Sequence, residues 1–131
     1  MSVLVDTSVW SLALRRDAPS KTREVEALGA ALEAGEVVLI GCVLQELLQG
    51  FPPRERTQRL VDYLAPFPLL ALHRGDHVFA SEIRNKCRAK GIVITTIDAQ
   101  IAAAAINHRC RLLTADTDFT RISRHFPIRF A

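Results

Sequence analysis

The feature that most constrains this chain is its alternation of short β-branched or apolar runs with longer stretches of helical period. "SVLV", "EVVLIG", "PLLAL", "CRLLTAD" and "PIRF" are each only a few residues long, and helical segments separate most of them. Strands joined through helices pair in parallel, with the helices covering both faces of the sheet. The expectation is an α/β fold: a three-layer α/β/α sandwich around a small, mainly parallel sheet of four to five strands.

The helices are equally readable. "TSVWSLALRR" is expected to be one, broken by "DAPS". From Lys21 to Ala34, the spacing of Val25, Leu28, Ala31 and Leu32 is helical, with Gly35 as terminator. "CVLQELLQG" is a short helix closed by Gly50, and Pro52 and Pro53 open another that runs to about Tyr63. A long helix is expected from about Gly75 to Lys90, ending at Gly91. An alanine-rich helix starts near Asp98, which with Asp6 is a candidate N-cap. A short helical turn follows at Phe119.

Length and composition set the class. The 131 residues suit one domain, 1–131, and at 24% charged and 49% hydrophobic the chain is expected to fold around a core. No run of 18 apolar residues is present, so no membrane span is expected. "MSVLVDTSVW" lacks a basic leader and carries an acid within its apolar stretch, so a cytoplasmic location is expected. Cys42, Cys87 and Cys110 form no CxxC pair and are read as small buried hydrophobes in a reducing compartment. His73 and His77 have the spacing of a metal pair, but the loop-to-helix junction "HRGDH" argues against it. His108 and His125 have no partner at ligand spacing.

The acids are where chemistry gathers. In an open α/β sheet, ligands bind beyond the carboxyl ends of the strands. Asp6 ends the first strand, Asp116 and Asp118 follow the fourth, Asp98 enters a helix, and Glu46 lies in the helix after strand two among Leu44, Leu47 and Leu48. Each has a local explanation: helix caps for Asp6 and Asp98, a turn for Asp116, a helix dipole for Asp118, a solvated face for Glu46. Four carboxylates about 6.5 Å apart would make six repulsive pairs of about 2.5 kcal/mol each at an effective dielectric near 20. That is on the order of the whole stability of a small domain. A divalent cation relieves such repulsion, and carboxylate oxygens are the ligands magnesium and manganese prefer.

Charge adds a second clue. Setting those five acids aside leaves nine of the 14 against 17 basic residues, a balance of +8 around an acidic hole. The basic residues cluster at Arg54, Arg56 and Arg59; at Arg84, Lys86, Arg88 and Lys90; and at Arg109, Arg111, Arg121, Arg124 and Arg129. Such a surface suits metal-assisted work on a polyanion.

"VLVDTSVW", "LQELLQG", "TIDAQIAAAA" and "LLTADTDF", in that order, resemble the acidic motifs of PIN domains, closest to VapC-type toxins of bacterial toxin–antitoxin modules. The resemblance runs over essentially the entire chain. It implies magnesium or manganese held by Asp6, Glu46, Asp98 and Asp116, with Asp6 and Asp98 foremost and Asp118 accessory. Ser8 and Thr114 match small hydroxyl positions that orient a carboxylate or a water, a local backbone bond being the alternative. The implied activity is hydrolysis of RNA, structured RNA such as tRNA among the targets. The implied partners are a VapB-type antitoxin and a second copy of the chain, as a homodimer. Trp10, Leu12, Leu14, Phe51 and Tyr63 are candidates for an exposed apolar partner groove, with ordinary core packing the favoured alternative for most of them.

Two rivals stand beside this reading. A phosphoacceptor receiver domain would want paired acids after strand one, an aspartate after the middle strand and a late lysine. Here strand one ends in one acid, "PLLALHRG" offers none, and Lys90 is the last lysine. A catalytically silent PIN-like RNA-binding module is the second.

Overall fold

The computed structural model describes residues 1–14, 21–50 and 54–131, with the side chains of 54–56 left aside. The "DAPS" break, the opening prolines Pro52 and Pro53, Phe51 of the expected groove, and the side chains of Arg54 and Arg56 lie outside the described residues.

Among the described residues, five parallel strands form one sheet: β1 (Val3–Val5), β2 (Val37–Ile40), β3 (Leu69–Leu70), β4 (Arg111–Leu113) and β5 (Arg129–Phe130), in the order β3-β2-β1-β4-β5. Every residue of β1 and β2 is buried, as continuous apolar runs in a two-faced parallel sheet must be. The chain winds from β1 to β2 and β3 on one side, then crosses back to place β4 against β1. Between β1 and β4 the winding reverses. In register, Val5 lies opposite Leu113, so the residues that leave both strands emerge side by side.

Around the sheet pack α1 (Thr7–Ala13), α2 (Arg23–Glu33), α3 (Gly41–Gln49), α4 (Arg54–Leu64), α5 (Arg74–Ala89), α6 (Thr96–Asn107) and the short α7 (Asp118–Ser123). Ala99, Ile101 and Ala102 to Ala105 of α6 are all buried. A helix apolar on every side is enclosed on every side, and alanine lets its neighbours approach closely. Among the described residues, no helix is long and apolar enough to cross a membrane.

Helix α2 closes on Gly35 at φ +68, and α5 on Gly91 at φ +77. In each, the two N–H groups past the end fold back on the last carbonyls, as Glu36 to Ala31 at 3.0 Å and Ile92 to Cys87 at 2.8 Å. Helix α6 ends the same way, Cys110 to Ala105 at 2.9 Å, but Arg109 fills the left-handed position at φ +53.

Trp10 takes the core-packing alternative. A candidate for an exposed groove, it is 1% exposed, packed against Phe67 and edge-on to Tyr63 at ring separations of 5.8 and 6.5 Å. Its partners come from α4 and the turn after it. Tyr63 remains 47% exposed, while Leu12 and Leu14 are half-buried. Cys87 and Cys110 are buried, Cys42 is partly so, and none is in a disulfide. Burial, and then the nearby Glu46 carboxylate, push the Cys42 thiol up to about 11.

Candidate metal centre

Asp6 stands at the N-cap position of α1 in extended backbone, yet its side chain caps nothing. Instead its Oδ2 accepts from Ser8 Oγ at 2.7 Å and from Thr114 Oγ1 at 2.8 Å. The carboxylate is only 6% exposed, so these hydroxyls replace the water that burial removed. Ser8 Oγ also accepts from the Ala115 N–H at 3.0 Å, and Thr114 Oγ1 from the Asp116 N–H at 3.0 Å. The Asp6 N–H donates to the Leu113 carbonyl at 2.9 Å, which seals the seam between the two strand ends.

Asp98 is not an N-cap. It is the third residue of α6, and Thr95 is the cap: Thr95 Oγ1 accepts from the Asp98 N–H at 3.0 Å while Asp98 Oδ2 accepts from the Thr95 N–H at 3.3 Å. This reciprocal pair was readable in "TTID", a T-x-x-D box. Burial raises the Asp98 pKa above its ordinary value, and the charges of Asp116 and Asp6 push the same way, against the two Thr95 bonds.

Asp116 Oδ1 accepts from the Asp118 N–H at 2.9 Å, a side-chain turn that swings Asp118 into the first turn of α7. Arg121 Nη1 approaches Asp118 Oδ1 at 3.5 Å. Glu46, on α3, accepts from Thr7 Oγ1 at 2.9 Å. Thr7 carried no sequence signal beyond standing next to Asp6.

Among the described residues, one group can hold a metal ion: Asp98, Asp116 and Asp118, each offering an oxygen, all within 4.8 Å of one another. Opposite ligands of a magnesium ion stand about 4 Å apart, so this trio fits a hard divalent cation with little adjustment. All three are half-buried. Asp118, expected as accessory, belongs to this closest grouping. Asp6 is joined to it through Thr114, while Glu46, on α3, stays outside the trio and bonds to Thr7, the neighbour of Asp6. The donor set is oxygen alone, the kind that hard divalent cations take. His73 and His77 enter no such group; the His73 N–H caps α5 through Asp76 Oδ2 at 2.9 Å.

Away from the trio, the arginines divide. Arg111 pairs with Glu36 at 3.0 Å, and Arg84 Nε donates to the Ile94 carbonyl at 3.1 Å. Arg88, Arg124 and Arg129 are exposed.

A family model described as PIN domain matches residues 3–125. A search of curated proteins returns no match. Among solved structures, the chain superposes on VapBC2 from Rickettsia felis, bound to a DNA fragment from its promoter, with TM-score 0.75 and 20% identity over 100% of this chain and 98% of that one. FitAB bound to an IR36 DNA fragment gives TM-score 0.79 and 22% identity over 98% and 93%. A toxin–antitoxin complex from Klebsiella pneumoniae gives 0.70 and 23% over 96% and 93%.

Proposed function

The chain belongs to the PIN domain family, and from that premise we propose that it is a magnesium- or manganese-dependent endoribonuclease, the toxin of a toxin–antitoxin pair. The observation that carries this reading is the convergence of Asp98, Asp116 and Asp118 within 4.8 Å. It sits where the strand order reverses between β1 and β4, the place where open α/β sheets bind ligands.

Asp98, Asp116 and Asp118 would hold the ion, with Asp6 and Glu46 beside them. Once bound, a divalent cation supplies a water of lowered pKa and screens charge on the phosphoryl oxygens. The chain supplies position. Thr95 fixes Asp98, Thr114 and Ser8 fix Asp6, and Thr7 fixes Glu46, so the carboxylates need little reordering as an ion enters. The basic surface outside the pocket would hold the RNA backbone without reading bases. Neighbours such as VapBC2 from Rickettsia felis support a VapB-type antitoxin as partner, and a homodimer of the toxin is part of the same proposal.

Incubating the purified protein with cellular RNA and magnesium tests the reading. Cleavage that EDTA abolishes, and that Asp6→Asn and Asp116→Asn each remove while keeping the fold, is the expected result. RNA left intact at stoichiometric protein would overturn it and favour a silent RNA-binding module.

A further inference from the structure

A cleft of about 240 Å³ runs between α5 and α6, apart from the acid trio. His77, Arg84, Asn85 and Arg88 line it from α5, and Thr96 and Gln100 from α6. Among the described residues that line it there is no carboxylate, and no Phe, Tyr or Trp. The chemistry therefore favours an anion and gives a nucleobase no ring to stack on.

The two helices run antiparallel: Asn107 Nδ2, at the end of α6, donates to Asp76 Oδ1 in the first turn of α5 at 2.8 Å. The later turns of α5, with Arg84 and Arg88, therefore lie toward the start of α6. Asp98 stands at that same start, between Thr96 and Gln100 in sequence. Arg84 is already held, its Nε bound to the Ile94 carbonyl, which leaves its terminal amino groups for an acceptor. A guanidinium fixed before binding loses less side-chain entropy when it takes a phosphate. Arg88, one turn on, is exposed and adds a second cation.

We infer that this cleft is a phosphate subsite of the nuclease, in which Arg84 and Arg88 hold an RNA backbone phosphate on one flank of the bond to be cut. The inference rests on the nuclease reading above and adds the path the strand takes. Arg84 and Arg88 are binding residues here, and they set the register of the strand against the acids.

The test is the affinity of the protein for a short, fluorescein-labelled, mixed-sequence single-stranded RNA, read by anisotropy in EDTA across a salt series. Arg88→Gln is expected to weaken binding about fivefold to tenfold and to lower the salt slope by about one. Asn85→Glu, which places a carboxylate in the cleft without removing a cation, is expected to weaken it at least as much. Arg124→Gln removes the same charge elsewhere and is expected to cost about twofold or less. Matching melting temperatures show that the variants are folded. Equal losses in Arg88→Gln and Arg124→Gln, no loss in either cleft variant, or a cleft that takes polyglutamate while RNA affinity stays unchanged would each overturn the inference. A parallel incubation in magnesium separates the two readings. RNA that is bound through the cleft but never cut removes the nuclease assignment, whereas RNA cut and bound equally well by Arg88→Gln removes the cleft alone.

Discussion

Thr114 Oγ1 donates to Asp6 Oδ2 at 2.8 Å, joining residues 108 positions apart, while the same oxygen accepts from the Asp116 N–H at 3.0 Å. One hydroxyl thus orders two acids that leave neighbouring strands. Thr114→Val keeps the shape and removes both bonds; Thr114→Ser keeps the oxygen. Partners that orient metal-binding carboxylates are worth about 10–100-fold in metal affinity or activity. Thr114→Val is expected to lose that much in manganese affinity by calorimetry, and Thr114→Ser to stay close to wild type. Equal behaviour of the two variants would remove Thr114 from the site.

The trio stores repulsion. Two carboxylate oxygens within 4.8 Å of each other repel by at least about 3 kcal/mol at an effective dielectric of 20, which solvent screening at half-exposed groups reduces to about 1 kcal/mol. Asp116→Asn keeps an oxygen to accept from the Asp118 N–H and deletes the charge. Without metal it is expected to melt about 3–5 °C higher than wild type. With saturating magnesium, wild type is expected to gain stability in proportion to ligand excess, and Asp116→Asn to gain almost none. Melting curves with and without EDTA check both halves.

Asp76 fastens the start of α5 to the end of α6 and is 8% exposed. Burial opposes its charge, but bonds from Asn107 and the His73 N–H, with His108 Nε2 at 3.4 Å, hold its pKa below the ordinary 3.8. A carboxyl that titrates lower when folded stabilises fully above its unfolded pKa, and that stability is lost as pH falls through the folded value. Asp76→Asn is expected to cost about 1–3 kcal/mol at neutral pH. Its deficit is expected to shrink below about pH 3.8. Urea unfolding at neutral and acidic pH measures both.

Arg109 occupies a left-handed position, φ +53, where α2 and α5 place Gly35 and Gly91. A side chain there is strained by about 1 kcal/mol, and glycine relieves it. Arg109→Gly is expected to raise stability by about 0.5–1 kcal/mol in urea unfolding. RNA cleavage is expected to fall by about twofold or less, the cost of one surface cation, because the residue lies at the end of α6 opposite Asp98.

Most of the architecture was legible because its causes are local. β-branched runs, the helical period of Val25, Leu28, Ala31 and Leu32, and the glycines after α2 and α5 act on backbone within a few residues of themselves. The start of α6 was less legible. Asp98 has the chemistry of a cap, but Thr95, three residues earlier, is the better one, and its bonds leave Asp98 in the first turn beside the trio. Trp10 shows the same limit. Its helix was readable, but whether it faced the core or a partner was not, because Phe67 and Tyr63, which cover it, lie more than fifty positions away.

The sequence by itself determined a parallel α/β sheet with five acids near its strand and helix ends. Only the tertiary structure decided which oxygens meet: Asp98, Asp116 and Asp118 draw together, while Asp6 is fastened to them by Thr114 and Ser8. Propensity and periodicity set backbone conformation residue by residue. Convergence depends on β1 pairing with β4 at Val5 and Leu113, a contact between segments a hundred residues apart that no local pattern encodes.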